Sequence, residues 1–185
     1  MTAFLEKRLL SVKEYHKMGE VGILTPDDRV ELINGEIIKM SPLNSKHTSH
    51  VKRITALFYK MLNEQATISV QDPIVLNEFS EPEPDIAILK FREDFYAEKH
   101  PTAQDAILLI EVADSTLDTD KRIKMPLYAQ AGVNELWIIN LPENKIEVFK
   151  DLKDGVYQSI ESYSRGDTLR LSVFDLNLKI SQILS

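Results

Sequence analysis

Two apolar runs, each joined to an acid, restrict the fold of this chain more than any other feature. Ile107-Leu108-Leu109-Ile110 runs into Glu111, and Pro84-Asp85 opens onto Ile86-Ala87-Ile88-Leu89. Uninterrupted apolar runs of this kind read as strands buried on both faces, in a covered and partly parallel sheet. A carboxylate at the end of such a strand is costly to desolvate unless something positive meets it. Two such acids, followed by Lys124 on the next expected helix, point to a divalent metal ion and a phosphate.

Length and composition set the outer limits. The 185 residues fit one domain over 1–185 and suffice to bury a full core. A hydrophobic content of 43% with 8% aromatics excludes a disordered chain. No apolar stretch spans a bilayer and the N-terminus lacks a signal-peptide pattern, so the expected location is the cytoplasm, with no membrane partner. The absence of cysteine removes disulfides, thiolate zinc sites and a cysteine nucleophile. A net charge of −7 argues against binding nucleic acid through overall charge, so any such binding has to be local.

The patterning predicts the elements. Ser11-Val12-Lys13-Glu14 fits a capping box and starts a short helix, with Gly19 and Gly22 at or beyond its end. Asn34-Gly35, between the apolar-rich halves of Arg29 to Met40, is a two-residue hairpin signal. Apolar residues recur at helical spacing from Val51 to Leu62, predicting an amphipathic helix that begins near Lys46. Strands are expected near residues 67–71, 85–89 and 106–113, then a helix over about 118–131 ended by Gly132. Residues 133–140 and 145–150 read as further strands, and the tail as two more short strands and a closing turn. Pro126 is awkward inside the predicted helix, marking a kink or a restart.

Charge is distributed unevenly. Between Ile37 and Asn63 there is no acid, whereas Lys39, Lys46, Lys52, Arg53 and Lys60 all fall inside, with His47 and His50. Two readings stay open: a solvated helix face, or a surface that contacts a phosphate backbone. His47 and His50 lie toward the apolar side of their helix, either as phosphate or acid–base groups or as satisfied core-edge residues. His16 and His100 read as surface residues, and Ser115 and Thr116 as capping hydroxyls.

The acids suggest a specific chemistry. If the two strands are neighbours, Asp85 and Glu111 converge at one edge of the sheet. Together with the Val112 carbonyl they would suffice for Mg²⁺, which takes oxygen ligands and retains several waters. Lys124 would orient an attacking water or stabilise developing negative charge, and Asp120, one helical turn away, would hold the ammonium. Taken singly, each residue has a plainer explanation: a turn residue at Asp85, a Glu111–Lys121 pair, an Asp120–Lys124 surface pair. The combination needs a shared one.

Pro84-Asp85 on one strand and Glu111-Val112-Ala113 on another resemble the signature of the PD-(D/E)XK nuclease superfamily. More narrowly, Glu31-Leu32-Ile33-Asn34-Gly35-Glu36, Pro84-Asp85-Ile86 and the block from Glu111 through Asp120, Lys124 and Pro126-Leu127-Tyr128-Ala129 to Trp137 resemble the Uma-type family of restriction-endonuclease-like proteins. The resemblance implies Asp85 and Glu111 as metal ligands. The superfamily's lysine would stand where this chain has Ala113, and in Uma-type proteins it has moved to the next helix, which places it at Lys124. The first core helix lacks the acid that many relatives supply, and Glu31 on the hairpin is the substitute.

The expected fold is therefore α/β with a restriction-endonuclease-like core, a central mixed β-sheet flanked by helices, and additional β-hairpins. The resemblance implies a metal-dependent nuclease acting on nucleic acid, DNA in particular, with Asp85, Glu111, Lys124 and Glu31 as catalytic residues and Asp120 and His47 in support. Mg²⁺ or Mn²⁺ would be held by Asp85, Glu111 and Val112. A homodimer is implied by analogy with endonucleases of this fold. Two alternatives stand beside this reading: a catalytically inactive nuclease-fold module that binds nucleic acid or protein, and a hydrolase of another phosphate ester.

Overall fold

The computed structural model describes residues 6–25 and 27–184. Helix α1 (Val12–Glu20) starts on Ser11, whose hydroxyl accepts from the Glu14 N–H while the Glu14 carboxylate accepts from the Ser11 N–H at 2.9 Å. This reciprocal pair satisfies two backbone donors that a helix start leaves open. Strands β1 (Val30–Ile33) and β2 (Glu36–Lys39) form a hairpin around Asn34 and Gly35, with φ of 50° and 75°. Two left-handed residues give the turn whose twist matches its strands. At Gly35 a side chain is also excluded sterically, since a Cβ would stand 2.5 Å from that of Leu9.

Helix α2 (Ser45–Leu62) buries Val51, Ile54, Phe58 and Leu62 on one stripe and leaves Lys46, Lys52, Arg53 and Lys60 exposed on the other. Then come β3 (Ala66–Ser69), β4 (Ile86–Lys90) and β5 (Ala106–Ala113). A helical crossover follows: α3 (Leu117–Thr119), a π-helical turn (Asp120–Lys124) and α4 (Met125–Ala131), which ends on left-handed Gly132. Strands β6 (Leu136–Asn140), β7 (Lys145–Lys153) and β8 (Val156–Ser164) complete a six-stranded sheet in the order β3-β4-β5-β6-β7-β8. Only β5 and β6 run parallel, so the sheet is mixed. Parallel neighbours need a crossover. Here that crossover covers one face of the sheet while α2 covers the other.

Between α2 and the sheet lie Ile86, Ile88, Leu108, Ile110, Val112, Trp137 and Ile139. Between the crossover and the sheet lie Ala87, Leu89, Leu109, Ala113 and Ile138, against Leu127 and Tyr128. Fully burying a large apolar side chain contributes about 1.5–3 kcal/mol, so these two layers carry most of the stability.

Beyond shifted ends, such as β3 at Ala66–Ser69 for the expected 67–71, β6 at Leu136–Asn140 for 133–140 and β7 at Lys145–Lys153 for 145–150, two departures from the sequence reading are larger. The tail holds three strands rather than two: β8 is nine residues long, and β9 (Thr168–Leu171) pairs with β10 (Leu176–Lys179) as a separate hairpin. A half-exposed edge strand carries only a loose alternation, which hid its length. The helix expected over 118–131 is interrupted by the π turn. Pro126 falls at the start of α4, where its missing N–H is tolerated, so it marks a restart.

Candidate active site

The antiparallel register of β4 and β5 builds the site. Ile86 pairs with Ile110 and Ala87 with Leu109, so one step outward sets Asp85 opposite Glu111. Side chains alternate along a strand, which puts both acids on the face of Ala87, Leu109 and Ala113, beneath the crossover. The apolar face toward α2 is left intact.

Three donors fix the Asp85 carboxylate. The Val112 N–H donates to Oδ2 at 2.8 Å, His47 Nε2 stands 3.0 Å from the same oxygen, and Gln71 Nε2 donates to Oδ1 at 3.1 Å. Oδ2 thus has both lone pairs engaged, and Oδ1 keeps one free. What Val112 gives this arrangement is its N–H. His47 Nδ1 is buried without a protein partner among the described residues. His50 contributes nothing here, because its Nδ1 turns back to the Lys46 carbonyl at 2.8 Å.

Glu111, 3% exposed, receives the Tyr128 hydroxyl on Oε1 at 2.6 Å and has Lys124 Nζ 3.4 Å from that oxygen. Among the described residues no hydrogen bond reaches Oε2. Lys124 Nζ also lies 3.1 Å from Glu31 Oε2, so the ammonium sits between an acid of the hairpin and an acid of the central strand. Glu31 in turn accepts the Glu83 N–H at 3.2 Å. The π turn shapes this approach. It widens the helix where Asp120 and Lys124 both become buried, and Tyr128, a further four residues on, reaches the same carboxylate.

The electrostatics follow from burial. Burial pushes the Glu111 carboxyl up to about 8, with Asp120 and Asp85 adding to the rise and Lys124 and Tyr128 opposing it. Asp120 is pushed up to about 6, again mainly by burial, against the Thr116 hydroxyl and Lys124. Burial alone would lower Lys124, yet Glu111, Glu31 and Asp120 hold it well above its ordinary value. Glu83 is raised by burial and by Glu31. Lys124 is therefore a permanent ammonium among carboxyls that are hard to ionise together.

Two sequence readings are corrected here. Thr116 stands at the start of α3, but its hydroxyl donates to Asp120 Oδ2 at 2.7 Å instead of capping a backbone N–H. The plainer alternative for Glu111, a pair with Lys121, does not form, since Lys121 reaches across to Glu147 at 2.5 Å. Gln71, Glu83 and Tyr128 are site residues that the sequence reading left without a role. For Tyr128 a signal was present, because it follows Lys124 by four residues and so shares its helical face.

These side chains line a cleft of about 200 Å³, bounded also by Asn44, Asp114 and the exposed Ile38 and Leu43. Six carboxylates line it against two lysines. Excess buried negative charge is what a divalent cation would relieve. Glu111 Oε2 and the free lone pair of Asp85 Oδ1 are suitable oxygen donors, and Mg²⁺ takes only one or two carboxylates while keeping waters. The donor set fits a hard divalent cation.

A sequence model of the Uma2 family, described as "Putative restriction endonuclease", matches residues 12–181. No curated protein matches the sequence. Among solved structures, a putative nuclease belonging to DUF820 from Anabaena variabilis superimposes with a TM-score of 0.71. The two are 16% identical, and the match covers 94% of this chain and 97% of that one. At that identity the likeness establishes the shared fold.

Proposed function

As the chain belongs to the Uma2 family of putative restriction endonucleases, we propose that it is a metal-dependent nuclease hydrolysing phosphodiester bonds of DNA, with Mg²⁺ or Mn²⁺ as cofactor. The observation that carries this reading is the placement of Lys124 between Glu31 and Glu111, on the face of the sheet shared with Asp85. Asp85 and Glu111 would hold the cation, with the Val112 carbonyl as a third donor. When bound, such an ion lowers the pKa of a coordinated water and neutralises charge on a phosphate.

The chain's own residues divide the remaining work. Lys124 stays protonated, so it donates to an attacking water or to a phosphate oxygen and does not act as a base. Glu31 fixes the ammonium, and Asp120 lends it further negative charge. The Tyr128 hydroxyl orients Glu111, while Gln71, His47 and the Val112 N–H orient Asp85. The N-terminus of the 18-residue helix α2 borders the cleft through Asn44 and His47. Its positive end favours a phosphate there, and the exposed Lys46, Lys52, Arg53 and Lys60 extend that attraction along the helix. A homodimer would bring two such clefts to two strands.

The test is a cleavage assay on plasmid and single-stranded DNA with Mg²⁺ and Mn²⁺. Wild type should cut, and Lys124→Ala and Asp85→Asn should each be slower by about 10²–10³. Undiminished cutting by the variants would identify a contaminating enzyme and sink the proposal. Metal-independent DNA binding without cutting would favour the inactive module.

A further inference from the structure

Away from the cleft, His16, Glu81 and His100 bring one ligand atom each to within 4.8 Å of one another. We propose that these three residues form a second metal site, selective for a divalent transition ion such as Zn²⁺ and independent of the nuclease reading. Among the described residues no other three His, Asp or Glu side chains come this close together.

The three ligands come from separate pieces of chain, each anchored by its own backbone contacts. His16 lies on α1, which is tied down by the Val12 N–H to the Glu78 carbonyl at 2.8 Å and by the Tyr15 hydroxyl to the Val30 carbonyl at 2.9 Å. Glu81 pairs through its backbone with Leu32. His100 precedes Pro101, whose carbonyl accepts the Val75 N–H at 2.9 Å. Convergence of three independently fixed elements is not the behaviour of loose surface side chains.

The chemistry selects the ion. Two imidazoles and one carboxylate suit zinc and its first-row neighbours, whereas Mg²⁺ takes oxygen ligands. Glu81 has a side chain only 2% exposed, and among the described residues its one side-chain partner is His16, with Nε2 at 2.8 Å from both carboxylate oxygens. A buried carboxylate is better matched by a full cation than by an imidazole. His16 is 42% exposed, and its ring meets that of His100 edge-on at 5.7 Å. A tetrahedral zinc sets ligand atoms about 3.4 Å apart, so His16 would shift outward from Glu81 and His100 would close in from within 4.8 Å, movements that the exposure of both histidines permits. Three protein ligands then leave one position for water. Such an ion would clip α1 and the loop at His100 to Glu81, four residues ahead of Asp85.

Calorimetric titration of tag-free full-length protein with Zn²⁺, repeated with Co²⁺ read by visible absorption, tests this. Asp85→Asn, which lacks a ligand of the cleft, should bind one equivalent as tightly as wild type does at this site, and His100→Asn and His16→Gln should bind that equivalent about tenfold or more weakly. His100→Asn alters an exposed side chain, and circular dichroism of each variant checks its folding. Equal zinc affinity in wild type and His100→Asn, or binding lost on Asp85→Asn alone, would overturn the proposal, as would no zinc binding at all. Slow cleavage by Asp85→Asn bears only on the nuclease reading.

Discussion

The two faces of β5 are built from the same strand and meet different ends. Toward α2, Leu108, Ile110 and Val112 join Ile86, Ile88 and Trp137 in an apolar layer. Toward the crossover the alternate positions run Leu109, Glu111, Ala113, and the apolar layer is broken by an acid, with Lys124 and Tyr128 brought in to meet it. One face spends its burial on stability. The other gives some up to hold charge in a cleft, the usual trade between stability and function.

This contrast can be broken most forcefully from the apolar side. Trp137 is fully buried and packs on Phe58 with ring centroids 5.9 Å apart. Trp137→Ala should cost about 3–5 kcal/mol in denaturant unfolding, while whatever fraction stays folded keeps its metal affinity. A cost below about 1 kcal/mol would mean this layer is not the structural one.

The opposite sign is expected across the sheet. In metal-free protein the Glu111 carboxyl sits near 8, above its ordinary 4.5. Between those values the folded state holds a proton that the unfolded state has released, so stability falls as pH rises through that window. Glu111→Gln stays neutral throughout. Its unfolding free energy relative to wild type, measured in denaturant, should therefore rise between pH 5 and pH 9, by an amount on the order of a few kcal/mol. The Lys124 contact strengthens as Glu111 ionises, and that gain is already contained in the raised value of the carboxyl. A gap that does not change with pH would contradict the burial assigned to this acid.

The smallest effect concerns the partner of Glu111. Tyr128→Phe removes a hydroxyl that donates to Oε1 at 2.6 Å and steadies the anion. Mn²⁺ affinity at neutral pH should fall by roughly tenfold, equivalent to about 1.4 kcal/mol, and recover partly as pH is raised. Unchanged affinity would leave Tyr128 as packing only.

Features that depend on neighbours in sequence were legible from the sequence. The Ser11–Glu14 box, the Asn34-Gly35 turn and the doubly buried strands rest on local geometry, and the span of β5 is the one read from its apolar run. The juxtaposition of Asp85 with Glu111 needed only the pairing of two strands. What stayed hidden depends on contacts between distant segments. Gln71 reaches Asp85 from a left-handed backbone conformation at the end of β3, and nothing local announces it. Glu81 and the two histidines lie 65 and 19 positions apart along the chain and look like ordinary surface polars until the fold brings them together. Family likeness pointed to Glu31, while the structure supplies its contact, an ammonium at 3.1 Å.

Anomalous diffraction at the manganese edge, from crystals soaked in Mn²⁺, reaches the central point directly. A peak should lie between the Asp85 and Glu111 carboxylates, beside the Lys124 ammonium, and should vanish in crystals of Glu111→Gln. Density elsewhere with none at those two acids would mean that the charged face of β5 is held by lysine alone and has no catalytic ion to offer.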